Sequence, residues 1–380
     1  MRIALISASR VPSRTANSIE VMKVCQAFVD LGHEIHLWLP GPQPRMIWAE
    51  LKESYGIQDS FPISWLTSFK VLRRYDFSLR AVLQARAWDP SLCYVWPLQA
   101  AAIASSLGLP TALEVHDRPQ GRLGPILFRR FLEGRGAIRA LPITEAMREW
   151  LSDAYQVDLQ PPFALVAPMG VDLGQYRNLP DPENAREKLG FAKGFTAGYA
   201  GHLYAGRGID MLEDLARRNP DVHFLWVGGE PEAVEFWRSQ LQQAGLQNVQ
   251  LLGFVPNERL PLIQAACDVL LMPYERKISV SSGGDTAQFA SPMKQFEYLA
   301  SGRVILASDL PVFREILNEG NAVLLPPEDV AAWDQALNQL MADDSRRNSL
   351  AERARNDAVQ YDWRERARRV LEGLEKNGAA

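Results

Sequence analysis

Short apolar runs alternate with longer stretches of helical spacing along most of this chain. Arg2 to Ser7 (RIALIS) reads as a buried strand, and the apolar positions from Ile19 to Leu31 recur at helical intervals up to Gly32, a residue suited to ending a helix. HEIHLWLP follows as a second strand, with SLCYVW, PTALEVHD and ALPIT as further strands separated by helices. After RNLPDPENAREKLGFAKG, whose Pro, Asn and charged residues suit a linker and a short helix, the alternation begins again. FTAGYAGHL, VHFLWVGG, VQLLGFV, VLLMPY, VILASDL and AVLLP are its strands. Strands that alternate with helices predict doubly wound parallel sheets, one in each half of the chain. The expected domains are residues 1–178 and 179–360, both Rossmann-like α/β, with a last amphipathic helix over 361–377 packed back on the first. Ligand crevices in such sheets lie at the carboxyl ends of the strands, so a cleft between the domains is the expected site.

Length supports this division, because 380 residues exceed what one core usually organises, and 47% hydrophobic residues suffice for two. The net charge of −4 gives no reason to expect a nucleic-acid partner. The sign is uneven, however: between Ser60 and Leu141 eleven basic residues face five acidic ones. Cys25, Cys93 and Cys267 are far apart in apolar surroundings and read as buried thiols, without metal or disulfide spacing. The opening MRIALISASR lacks the features of a signal peptide, and no apolar run approaches the roughly 18 residues that cross a membrane. A cytoplasmic protein is the expectation.

Candidate chemistry lies in the loops. A redox dinucleotide site would need Gly-x-Gly-x-x-Gly after the first strand, but SASRVPSRTANS has no glycine there, which sets that class aside. The second half opens with GYAGHLYAGRGIDML, where Gly198, Gly201, Gly206 and Gly208 allow close backbone approach and Arg207 precedes a helix. Glycines, a guanidinium and a helix start together suit a diphosphate. In SPMKQFEYLASGR, Ser291 is the expected N-cap and Pro292 the first helical residue. Met293, Phe296, Leu299 and Ala300 would face a core, while Lys294 and Glu297 share another face, as a surface ion pair or as part of an anion site.

Taken in order, ANSIEVMKVCQAFVDLGHEIHLW, EVHD, APMGVDLGQY, GYAGHLYAGRGID, VQLLGFVPNERLPLIQAACDVLLMPY, SPMKQFEYLASGRVILASDLPVFREIL and YDWRERARRVL resemble the retaining glycosyltransferases of family 4, which have the GT-B fold. The resemblance covers nearly the whole chain. It implies a nucleoside-diphosphate sugar, UDP-linked before GDP-linked and of glucose or mannose type, held mainly by the C-terminal domain. On the positions that match, Glu297 would hydrogen-bond the ribose diol, Arg207 would meet the diphosphate, and Lys294 would add a second cation near the same helix start. Phe254 and Val255 would seat the base, and Gly201, Gly228 and Ser291 would line the same crevice. Asn17 stands in the first loop, and His116 would sit near the anomeric carbon, accepting a hydrogen bond as a neutral imidazole.

Departures from the family pattern are specific. Phe289 stands eight positions before Glu297, where the family often has a first glutamate; Ala16-Asn17-Ser18 replaces a pair of glycines, and His202 replaces the usual arginine after Gly201. No Asp-x-Asp motif occupies a suitable loop, so no metal is expected, and Asp172 belongs to the interdomain link motif. The expected acceptor is a carbohydrate or lipid-linked hydroxyl on the N-terminal side, in polysaccharide or glycolipid assembly. There SWLTSFKVLRRYDFSLRAVLQARAW and GRLGPILFRRFLEGRG mix aromatic and aliphatic with basic residues, as an interfacial helix on an anionic membrane surface would. A nucleotide-sugar-binding protein without transferase activity is the alternative.

Overall fold

The computed structural model describes residues 1–278 and 287–374. The chain forms two compact units, Met1–Met169 with the C-terminal helix Trp363–Leu371, and Gly170–Asp362. Every strand run named above forms a strand, and Leu92–Val95, Thr111–Val115, Val269–Met272 and Val304–Ser308 are buried along their full length, as parallel strands covered on both faces must be.

The first unit contains β1 (Arg2–Ile6), β2 (Glu34–Pro40), β3 (Ile63–Leu66), β4 (Leu92–Val95), β5 (Thr111–Val115) and β6 (Ala137–Pro142). They form one sheet in the order β3-β2-β1-β4-β5-β6, and every ladder is parallel. The second unit repeats this plan with β7 (Thr196–Ala200), β8 (His223–Val227), β9 (Val249–Gly253), β10 (Val269–Met272), β11 (Val304–Ser308) and β12 (Val323–Leu325), ordered β12-β11-β10-β7-β8-β9. In each sheet the winding reverses beside the first strand, between β1 and β4 and between β7 and β10. Loops at the carboxyl ends of those strands diverge there and leave a crevice.

The first helix, Ala16–Asp30, begins three residues before the expected Ile19 and buries Val21, Met22, Val24, Cys25 and Phe28 against the sheet. The C-terminal helix packs against it. In the second unit Tyr199, Leu212, Trp226, Leu271, Leu306 and Trp333 build the core. All three cysteines are free and buried. Among the described residues, no helix is long and apolar enough to cross a membrane.

Two expectations are corrected. β3 falls within the segment read as one interfacial helix: Ile63–Leu66 pairs with β2 at the sheet edge, and the Trp65 indole N–H donates to the Val11 carbonyl at 3.2 Å. The helical part starts only at Tyr75 and runs to Trp88. Ser291 does not cap the helix it precedes. That helix is Met293–Ser301, with Pro292 in the capping position and no side-chain cap, although it does end on Gly302 in the left-handed region.

Candidate functional site

In the second unit, the loop after β7 turns at Gly201 and the loop after β8 at Gly228. Gly228, at φ +108°, has no room for a side chain: a Cβ there would lie 2.3 Å from the Gly201 carbonyl oxygen. Gly208 caps the helix Ile209–Arg218 from the left-handed region, and a Cβ on it would meet the Pro273 carbonyl at 1.8 Å. The loop carrying Arg207 is therefore held against the segment that follows β10. Glu275 fastens it there, its N–H donating to the Gly206 carbonyl and its carboxylate accepting from the Gly208 N–H.

Lys294 enters this crevice from the first turn of Met293–Ser301. The sequence pattern places it on a polar face, but only 8% of the residue is exposed. Its Nζ lies 3.9 Å from the ring centroid of Tyr199 and 5.1 Å from that of Tyr274, and it has no hydrogen-bond partner among the described residues. The Arg207 guanidinium sits 4.7 Å from the same Tyr274 ring, and its Nε is also without a partner. Two cations thus share one tyrosine. Burial and the nearby Arg207 hold the Lys294 ammonium well below its ordinary value, with Glu297 pulling the other way. His202, stacked on Tyr204 at 4.7 Å, is driven down to about 4 by burial and by the charges of Arg207 and Lys294, and its Nδ1 lacks a hydrogen-bond partner among the described residues.

Glu297 lies one turn beyond Lys294 and is half-buried, and its charge helps to raise the Tyr176 and Tyr274 phenols that burial already pushes up. Phe254 and Val255 follow β9, with Phe254 exposed. Ser291 is half-buried beside Pro292. The structure therefore brings Gly201, His202, Arg207, Gly228, Lys294 and Glu297 together at the switch point of the second sheet, with Phe254 and Val255 after β9, the edge strand two positions from β7. Phe289, buried, occupies the position of the absent glutamate.

The first unit holds a separate cluster. His116 follows β5, with 24% of its side chain exposed, and its Nε2 faces Glu114 Oε1 at 2.8 Å and Glu20 Oε1 at 3.1 Å. The Trp96 indole donates to the same Glu20 oxygen at 3.1 Å. Arg366, from the C-terminal helix, reaches Glu114 Oε1 at 2.7 Å and Tyr94 Oη at 3.1 Å, and Tyr94 in turn donates to Glu114 Oε2. Burial alone would lower the imidazolium, but Glu20 and Glu114 outweigh it and hold His116 up at about 10. Burial raises Glu20 to about 7 against the attraction of His116, whereas Arg366 and His116 overcome the burial of Glu114 and keep it ionised. Held as an imidazolium, His116 has two N–H donors and no acceptor, whereas the resemblance implies a neutral, accepting ring. Asn17, exposed, lies one turn before Glu20 on the same helix.

Glu20, Glu114 and His116 offer three donor atoms within 4.8 Å of one another, a spacing a metal ion accepts. Glu114 Oε1 is already engaged by both His116 and Arg366, so a cation there would face a guanidinium at hydrogen-bond distance.

The sequence reading missed Glu20, Glu114, Tyr94, Tyr199, Tyr274 and Arg366. Glu114 had a signal, since positions i and i+2 share a side of a strand and E-V-H puts carboxylate and imidazole together. The others meet only through the fold.

Basic and apolar side chains also share the surface of the first unit. Phe69, Val71, Leu72, Leu79 and Leu83 are exposed beside Arg73 and Arg74, as are Leu123 and Ile126 beside Arg122, Arg129 and Arg130. The helices Tyr75–Trp88 and Gly124–Leu132 both pack on Leu98–Ser106, and a cavity of about 390 Å³ is lined by Ser68, Arg73, Arg74 and Gln99.

Residues 194–343 match the family described as glycosyl transferases group 1. The chain is 29% identical over 206 residues to the D-inositol 3-phosphate glycosyltransferase of Corynebacterium urealyticum, a match that covers 50% of this chain and 45% of that protein. It is 25% identical over 385 residues to the phosphatidyl-myo-inositol mannosyltransferase of Mycolicibacterium smegmatis, covering 96% of this chain and 90% of that one. The crystal structure of Anabaena Alr3699/HepE in complex with UDP superimposes with a TM-score of 0.75 at 19% identity, over 99% of this chain and all of the other. The fold is GT-B. Both curated relatives are named as sugar transferases, and the matched family segment contains Arg207, Lys294 and Glu297.

Proposed function

We propose that this protein is a retaining, metal-independent glycosyltransferase that moves a hexose from a nucleoside-diphosphate sugar to an acceptor hydroxyl. The observation that carries the reading is the pair of cations, Lys294 and Arg207, held together in a buried crevice, with no hydrogen-bond partner for Lys294 Nζ or Arg207 Nε among the described residues. A buried charge without a partner is costly, so sequence and fold retain it where a ligand supplies the partner. A diphosphate fits: it carries the opposite charge, accepts several hydrogen bonds and suits the uncapped helix start at Met293. Glu297, one turn away, would accept from both hydroxyls of the ribose, and Phe254 and Val255 would seat the base. UDP is favoured because a neighbour of the same fold was crystallised with it.

In the reaction, the acceptor oxygen forms a bond to the anomeric carbon while the bond from that carbon to the phosphate oxygen breaks. The acceptor proton passes to the departing diphosphate on the same face, and the configuration is retained. Lys294, Arg207 and the helix start stabilise the charge that develops on the leaving group. As an imidazolium, His116 would donate to a sugar or acceptor oxygen. The first unit would receive the acceptor, and its basic, apolar surface suits an anionic membrane and a lipid-linked acceptor, the class named in one relative.

The test is release of nucleoside diphosphate from UDP- and GDP-hexoses in the presence of lipid and sugar acceptors, for the wild type and Glu297→Ala. Release by the wild type that falls at least tenfold in the variant supports the reading. Nucleotide binding without any release points to a non-catalytic binding protein.

A further inference from the structure

The C-terminal helix carries a side chain that the proposed reaction leaves unassigned. Arg366 is only 2% exposed, and its guanidinium makes four hydrogen bonds within the first unit. Nε donates to the Pro168 carbonyl at 2.7 Å, Nη1 to Tyr94 Oη at 3.1 Å, and Nη2 to both Glu114 Oε1 at 2.7 Å and the Ala167 carbonyl at 3.0 Å. The two carbonyls fix the guanidinium on the chain that follows β6. Its remaining edge is thereby aimed at Glu114.

Glu114 has no exposed side-chain surface, and its two oxygens are divided between the guanidinium and His116 on one side and Tyr94 on the other. We propose that Arg366 is a positioning residue for His116: it holds Glu114 ionised and in one orientation, and Glu114 holds the imidazole. The proposal rests on the reading of His116 as a group beside the transferred sugar. The groups around the imidazole are Glu20 from the first helix, Glu114 from β5, Tyr94 from β4 and Arg366 from the C-terminal helix, with the Trp96 indole on Glu20. Without the guanidinium, a carboxyl group this deeply buried takes up a proton, because burial favours its neutral form. Among the described residues, His116 then keeps Glu20 as its anionic partner. Its charge falls off at lower pH, and its ring loses a fixed acceptor.

A lysine cannot replace the fork. One ammonium placed at Glu114 cannot also reach Tyr94 and both carbonyls, so Arg366→Lys retains charge and loses direction.

The experiment follows the ring nitrogens of ¹⁵N-histidine-labelled full-length protein by NMR from pH 5.5 to about 11.5, past the raised His116 value, in the wild type, Arg366→Lys, Arg366→Met and Glu20→Gln. The titration of His116 falls by about one unit in Arg366→Met and by less in Arg366→Lys. In steady-state assays kcat falls about tenfold in Arg366→Met with donor KM changed less than about twofold, and Arg366→Lys recovers part of it. Should Arg366→Met fail to fold, Arg366→Lys decides by the same two readouts. An unmoved His116 titration in the folded Arg366 variants overturns the proposal, as does a moved titration with kcat unchanged. If the wild type transfers no sugar, the glycosyltransferase reading fails, and the titration alone still decides whether Arg366 governs His116.

Discussion

Lys294 Nζ stands 3.9 Å above the ring of Tyr199 and makes no hydrogen bond among the described residues. A ring face attracts a cation but does not replace water around an ammonium, and Arg207 nearby adds repulsion. In the unliganded protein this lysine therefore costs stability, and a bound anion would relieve the cost.

Lys294→Met accordingly raises the stability of the unliganded protein. The folded pKa of Lys294 lies below its unfolded one, so its penalty is complete below the lowered value and fades as pH rises toward the ordinary lysine value near 10.5. We expect a gain of about 1 kcal/mol at pH 7, or ~2–4 °C in Tm, that shrinks in alkaline buffer, by differential scanning fluorimetry.

Nucleotide affinity falls as Lys294 loses its proton. His202, at about 4, is already neutral at physiological pH and contributes nothing to this dependence. Titration calorimetry of the favoured nucleotide from pH 7 to 10 gives a decline in the wild type and a flatter profile in Lys294→Arg, whose charge persists.

Gly228→Ala disrupts the crevice from its backbone. The added Cβ would meet the Gly201 carbonyl at 2.3 Å, at a φ of +108° that an alanine rarely adopts. A loss of about 2 kcal/mol or more, read as a lower denaturation midpoint, accompanies weaker nucleotide binding.

Glu20→Gln alters the acid side of the stability profile. Because Glu20 is raised to about 7 in the folded chain, the folded state holds a proton that the unfolded state releases, and stability contributed by this group declines as pH rises from about 4.5 to 7. The glutamine variant loses that decline, which thermal scans across the window detect.

On membranes, the first unit carries exposed Phe69, Val71 and Leu72 beside Arg73 and Arg74. Sedimentation with vesicles shows binding to anionic but not neutral lipid, reduced at least threefold in Arg73→Glu with Arg74→Glu. Equal binding to both vesicle types contradicts the electrostatic account.

Much of this was legible in the sequence, for identifiable reasons. Runs such as VLLM and VILA are apolar at every position because their strands are covered on both faces, and their shortness suits a strand better than a helix. Ile63–Leu66 was not legible: an edge strand half-buried along its length shares its composition with an amphipathic helix. Lys294 lies on the helix face that periodicity assigns to solvent, and it is covered by Tyr199 from β7 and Tyr274 after β10, which only the strand order brings over it. Arg366 and Glu114 are 252 residues apart, and nothing local marks either as the other's partner.

The most direct measurement is calorimetry of UDP, GDP and ADP on the wild type and Lys294→Met at pH 7. The account predicts that one of them binds the wild type, in the micromolar range or tighter (about −8 kcal/mol), and binds the variant about a hundredfold more weakly. Equal affinity in both proteins, or no binding of any nucleotide to the wild type, would contradict it.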